Sequence, residues 1–87
     1  MLNSKNLVME LDGFVRLFGV QFDDTPADVF APDTKFRDLD EWSSLTALSI
    51  IAMVDDELDV QLTGNDVRGA NTIEDIFHIV KSRMNGA

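Results

Sequence analysis

Two adjacent hydroxyls, Ser43 and Ser44, stand where a long irregular segment meets the most apolar helical stretch of this 87-residue sequence. A serine at a helix start accepts a hydrogen bond from one of the first unpaired N–H groups, and either residue suits that N-cap position. A hydroxyl there also points outward, where it is open to modification or to use as a nucleophile. A serine nucleophile needs a base. The single histidine, His78, falls on the polar side of a later helix, and nothing in the sequence brings it to Ser44; it reads as a solvated surface residue. The absence of cysteine excludes a disulfide framework, a thiolate zinc site and a cysteine nucleophile. The acid-rich stretch from Asp55 to Asp66 offers no register with both the Gly at position six and the Glu at position twelve of a calcium loop. No metal site is expected there.

Charge narrows the partners. Sixteen acids against seven bases give a net charge of -9, which opposes binding to nucleic acid or to an anionic membrane, since both need a basic face. The complement is a basic protein partner. Eight carboxylates fall between Asp38 and Asp66 with no Lys or Arg among them, so the field is concentrated around one helix. With 45% hydrophobic and 26% charged residues the chain is globular, and its length predicts one domain over residues 1–87 with one modest core. No apolar run is long enough to span a membrane. The start, Met1-Leu2-Asn3-Ser4-Lys5-Asn6, lacks the apolar core of a secretory signal. A cytoplasmic monomer is expected.

The elements that must position Ser43 and Ser44 follow from apolar spacing. Leu7, Leu11, Phe14, Val15 and Phe18 make one stripe on a first helix from about Ser4 to Phe18, with Gly13 inside it and Gly19 as its stop. From Val20 to Ser43 runs a long connection. Thr25-Pro26 fits an N-cap and first helical position for a short turn through Phe30, and Phe22, Phe30, Phe36 and Leu39 are the residues expected to pin the segment to the core. A second helix covers Leu45 to about Leu58, with Ala47, Ile50, Ile51, Val54 and Leu58 facing inward. Leu45, Ser49, Ala52 and Asp56 gather on the opposite side, with Met53 beside them. Asp55, Asp56 and Glu57 crowd the last turn, where the helix dipole disfavours carboxylates; a local arrangement that opposes stability points to a functional surface. Asn65 to Arg68 allows one short helical turn. Thr72 caps a last helix carrying Ile73, Ile76, Phe77, Val80 and Met84. The expected fold is all-α, a small four-helix bundle of three main helices and one short one, with a long loop between the first two main helices. Trp42 reads as a partly buried anchor of that loop.

Taken in order, Phe36-Arg37-Asp38-Leu39, Ser44-Leu45, the run from Ile50 to Val60 and Thr72-Ile73-Glu74-Asp75-Ile76 resemble the acyl carrier protein family over nearly the whole chain. The resemblance implies a carrier rather than an enzyme. Ser44 would be the serine esterified by 4'-phosphopantetheine, derived from coenzyme A, which supplies the thiol that a cysteine-free chain lacks. Acyl intermediates would travel as thioesters among enzymes of fatty-acid, polyketide or related specialised biosynthesis. The implied partners are a phosphopantetheinyl transferase and acyl-activating, synthase or transferase enzymes with basic docking patches. Leu45, Asp55, Asp56 and Glu57 match docking positions of the family, and Ser49, Ala52 and Met53 share their side of the helix.

Two departures accompany the resemblance. The family usually has Asp before the modified serine, where it assists metal-dependent transfer of the prosthetic group; here Ser43 stands there, with Asp40 or Glu41 as candidate substitutes. The spacing from Leu39 to Ser44 is one residue longer than in the carriers of fatty-acid synthesis, with Trp42 in the insertion, and looks more like stand-alone carriers of specialised bacterial pathways. An aminoacyl or peptidyl carrier and an unmodified acidic adaptor of the same fold are the alternatives, the second favoured by Ser43.

Overall fold

Four helices and two short 3₁₀ turns account for the regular structure of the computed structural model, which describes residues 10–86. Residues 4–9 of the expected first helix, Leu7 among them, lie outside the described residues. Helix α1, Leu11–Val20, buries Phe14, Val15 and Phe18. It runs through Gly19 rather than stopping there, and ends where Gln21 N–H turns back to Phe18 O at 3.1 Å. Gly19 answers a different need: a Cβ at this position would lie 3.0 Å from Cδ2 of Phe30, so the bare backbone lets the loop ring pack against the helix.

The long connection is pinned where its four apolar residues fall. Phe22 and Phe36 are buried, and Phe30 and Leu39 pack on the core. The rings form a continuous tilted and stacked group, with Phe18 5.7 Å from both Phe22 and Phe36 and Phe14 5.6 Å from Phe77. Such pairs add about 0.5–1.5 kcal/mol each beyond their buried area. The first 3₁₀ turn, Ala27–Val29, has Pro26 at its N-cap and no side-chain cap. The expected role of Thr25 as cap is therefore corrected: the turn begins one residue later, with Pro26 in the cap position, and the Thr25 hydroxyl donates to Glu41 Oε1 at 2.6 Å. The second 3₁₀ turn, Phe36–Asp38, carries Arg37, whose guanidinium donates to Val67 O at 3.0 Å, Ala70 O at 2.5 Å and Asn71 Oδ1 at 3.0 Å.

Helix α2, Ser44–Leu58, buries Thr46, Ile50, Met53, Val54 and Leu58. The inward face is thus rotated from the expected one, leaving Ala47 and Ile51 only half-buried; the preceding loop packs on the first turn through Thr46 and turns that residue inward. Helix α2 ends at Asp59, which adopts a left-handed conformation with φ 59°. Helix α3, Gly64–Gly69, is the expected short turn, closed at its start by a reciprocal pair: Thr63 Oγ1 accepts from Asp66 N–H, and Asp66 Oδ2 accepts from Thr63 N–H. Helix α4, Ile73–Gly86, opens on Thr72, whose Oγ1 accepts from Asp75 N–H at 3.1 Å. Two of its first N–H groups are satisfied by the loop, Ile73 donating to Thr34 O at 3.2 Å and Glu74 to Pro32 O at 2.9 Å. The bundle core also contains Leu62, Val67, Ile73, Ile76 and Val80.

Asp66 joins α3 to α4 through Arg83, with Nη1 at 2.5 Å from Oδ2 and Nη2 at 2.8 Å from Oδ1. The Arg83 guanidinium, aided by the N–H and hydroxyl of Thr63, holds this carboxyl well below the usual carboxylate range against the opposing effect of burial. A depressed folded-state pKa stabilises the fold fully above the unfolded value, roughly pH 4, and that stabilisation is lost as pH falls towards the folded value. Asp66→Asn should therefore destabilise the protein at pH 7 while reducing the loss of stability between pH 7 and pH 3. Thermal melts of both proteins at the two pH values measure it, and parallel losses would contradict it.

Candidate functional site

At the start of α2 the two serines are separated by their hydrogen bonds. Ser43 is the N-cap: its Oγ accepts from Thr46 N–H at 3.3 Å and lies 3.1 Å from Thr46 Oγ1. Thr46 has one hydroxyl proton, and it donates to Glu41 O at 2.9 Å. The Ser43 proton must then point at Thr46 Oγ1, so the Ser43 hydroxyl is engaged both as acceptor and as donor. Ser44, the first residue of the helix, is exposed, and no described residue hydrogen-bonds its hydroxyl. The hydroxyl stands at the positive end of a 15-residue helix, beside N–H groups that have no intrahelical partner, a setting that favours a negatively charged ester such as a phosphodiester.

The segment leading into this cap is held from both sides. Glu41 accepts from Asp23 N–H at 2.8 Å, from Asp24 N–H at 3.1 Å and from the Thr25 hydroxyl. The Thr25 hydroxyl, then the two N–H groups, push its carboxyl below the usual range. Glu41 is thereby committed to the loop and is not free to replace a carboxylate at position 43; Asp40 remains exposed. Trp42 is half-buried, its ring 6.4 Å from that of Phe22 and 4.8 Å from that of Phe36, and its backbone N–H donates to Leu39 O at 3.0 Å. It is the anchor its sequence position suggested.

Below Ser44 one exposed stripe runs the length of α2. Leu45 is 76% and Leu48 61% exposed, and Ser49, Ala52, Asp55, Asp56 and Glu57 follow on the solvent side. Met53 is corrected: at 6% exposure it is a core side chain, reaching the surface only at the floor of a shallow depression formed with Gln21, Ser49, Ala52 and the three acids. The cause is the same rotation of the buried face. Leu48 escaped the sequence reading, although its spacing, three residues after Leu45 and four after Ser44, places it on their side of the helix. His78 lies on α4 with a 66% exposed side chain, 3.8 Å from Glu74 of its own helix, and no described contact joins it to Ser44. Among the described residues there is no group of three His, Cys, Asp or Glu side chains able to hold a metal ion, and no helix is long and apolar enough to cross a membrane.

The family model described as the phosphopantetheine attachment site matches residues 14–80. The chain belongs to this phosphopantetheine attachment site family. Its prosthetic group is accordingly 4'-phosphopantetheine, and the protein is a phosphopantetheine-bearing carrier of a family whose domains are carriers that work with transferases and synthases. The matched span extends from Phe14 in α1 to Val80 in α4 and contains the whole loop and the start of α2. Comparison with curated proteins and with solved structures gave no significant match.

The different bonding of the two serines has a measurable consequence. Loss of an N-cap side chain costs about 0.5–2 kcal/mol, so Ser43→Ala should lower unfolding free energy by about 1 kcal/mol. Ser44→Ala should change it by less than about 0.5 kcal/mol, the usual range for a surface substitution. Urea denaturation of the unloaded proteins measures both, and equal losses would contradict the assignment of the cap to Ser43.

Proposed function

We propose that Ser44 carries the 4'-phosphopantetheine group and that the protein is an acyl carrier, delivering acyl thioesters to enzymes of fatty-acid, polyketide or related specialised biosynthesis. The observation that carries the attachment point is the exposed Ser44 hydroxyl beside a Ser43 hydroxyl engaged in both of its hydrogen-bonding roles. When bound, the group supplies a thiol on a flexible arm. The chain itself contributes a hydroxyl, a helix start that favours the phosphodiester, and a docking stripe, but no base within hydrogen-bonding reach of Ser44 among the described residues. Deprotonation of Ser44 falls to the transferase. The acyl cargo is supported by the ordered motif set from Phe36 to Val60 and its resemblance to acyl carrier proteins.

Leu45, Leu48, Ser49, Ala52, Asp55, Asp56 and Glu57 form the surface proposed to meet the transferase and the biosynthetic enzymes, with the two leucines as apolar contacts and the acids facing basic patches. Encounters of this kind are steered by charge and weaken with salt. In this reading residues 1–87 act as one domain, monomeric and cytoplasmic, and the chain is not itself an enzyme. Ser43 in place of Asp is the feature that favours an unmodified adaptor, and loading of the wild type in the test below decides against that reading.

The test is mass spectrometry of the protein after incubation with coenzyme A and a broad-specificity phosphopantetheinyl transferase. The wild type and Ser43→Ala should each gain one phosphopantetheine mass and Ser44→Ala none. Addition that survives Ser44→Ala, or no addition to the wild type, would overturn the attachment point.

A further inference from the structure

Neither the serine site nor the α2 stripe uses the outer side of α1. Asp12, Arg16 and Val20 stand four residues apart there and form one outward ridge, exposed at all three residues and 70% exposed at Val20. A depression of about 520 Å³ follows the ridge on the loop side, with Val15, Phe22 and Phe30 in its lining. A second, of about 290 Å³, lies on the other side, where Arg16 and Val20 face Glu57 and Leu58. A ridge of fourth residues flanked by two grooves is the surface against which a second helix packs, its own ridges entering both grooves. An exposed valine at the crest gives such a helix an apolar contact.

Charge selects the occupant. Among the described residues Arg16 is the single base lining either groove, whereas Asp12 and Glu57 line them and Asp55 and Asp56 adjoin Glu57. A second copy of the chain, at net charge -9, and an anionic lipid surface are both repelled. We propose that the Asp12, Arg16 and Val20 ridge with its two grooves is a docking surface for a cationic amphipathic helix of a partner protein. It is separate from the Ser44 to Ala52 part of α2 and does not depend on modification of Ser44.

The probe is a synthetic helical peptide of about four turns, with leucines on one stripe and lysines on its flanks, titrated into the ¹⁵N-labelled full-length protein. The largest amide shifts are expected at Gly13, Arg16, Gly19 and Val20. Val20→Ser, a surface change whose folding is checked by circular dichroism, should weaken binding roughly fivefold through lost apolar burial. Leu48→Ser should leave binding unchanged. A peptide of identical composition with its leucines spread around the helix should bind at least about fivefold more weakly, because it keeps the charge and loses the apolar stripe. The proposal is overturned if shifts centre on Ser44 to Leu48 or spread evenly over the acids, if Val20→Ser binds as the wild type does, or if the two peptides bind equally.

Discussion

The rest of the structure depends on a reciprocal exchange of hydrogen bonds between the long loop and the helix ends. A helix leaves its first N–H and last C=O groups without intrahelical partners, and a loop brings polar backbone that must also be paired. Here the two needs meet. Carbonyls of Pro32 and Thr34 receive the N–H groups of Glu74 and Ile73 at the start of α4. Arg37 reaches from the loop to the carbonyls of Val67 and Ala70 at the end of α3. The loop thereby completes two helices it does not belong to, and its path is fixed by their positions. Glu41 then ties the end of the loop back to its beginning at Asp23 and Asp24. With residues 41 and 42 held by hydrogen bonds on one side and aromatic rings on the other, Ser43 caps α2 and Ser44 is left facing solvent.

This ordering separates two kinds of acid that composition alone cannot tell apart. Glu41 and Asp66 are internal ligands, satisfied by loop N–H groups and by Arg83, and they contribute to stability as carboxylates. Asp55, Asp56 and Glu57 are exposed in the last turn of α2, where the helix dipole opposes them, and among the described residues none forms an ion pair. The helix ends on Asp59 in a left-handed conformation that glycine would adopt at lower cost. The C-terminal end of α2 is therefore arranged at some expense of stability, and an acidic surface for a basic partner is a physical reason for tolerating it.

Much of the fold was legible because it rests on strong periodic signals. The Phe14, Val15 and Phe18 stripe, the short α3 and the Thr72 cap follow from spacing and capping chemistry, and the apolar residues of the loop could only be pins. The face of α2 was misplaced because Ala47 and Ile51 are as apolar as Met53, so that hydropathy cannot fix rotation within one residue. Thr46 is turned inward, and its hydroxyl donates to Glu41 O five residues back, a bond that apolar spacing does not register. The helix ends just beyond Gly19 and the turn starts beyond Thr25, and both residues serve the loop instead: Gly19 admits the Phe30 ring and Thr25 donates to Glu41. At the site, the proposals for Ser44 and for the acids of α2 come from the resemblance, whereas the engagement of Ser43 with Thr46 needed coordinates. The place of Leu48 on this side follows from spacing alone, three residues after Leu45 and four after Ser44.

Amide hydrogen exchange in the native protein tests most directly whether the loop holds the cap that leaves Ser44 free. The amides of Asp23 and Asp24, which donate to Glu41, of Ile73 and Glu74, which donate to loop carbonyls, and of Thr46, which donates to Ser43, should be protected together with those of the buried core. Exchange of these amides at the unprotected rate, while the amides of Phe18, Val54 and Val80 remain protected, would contradict the account.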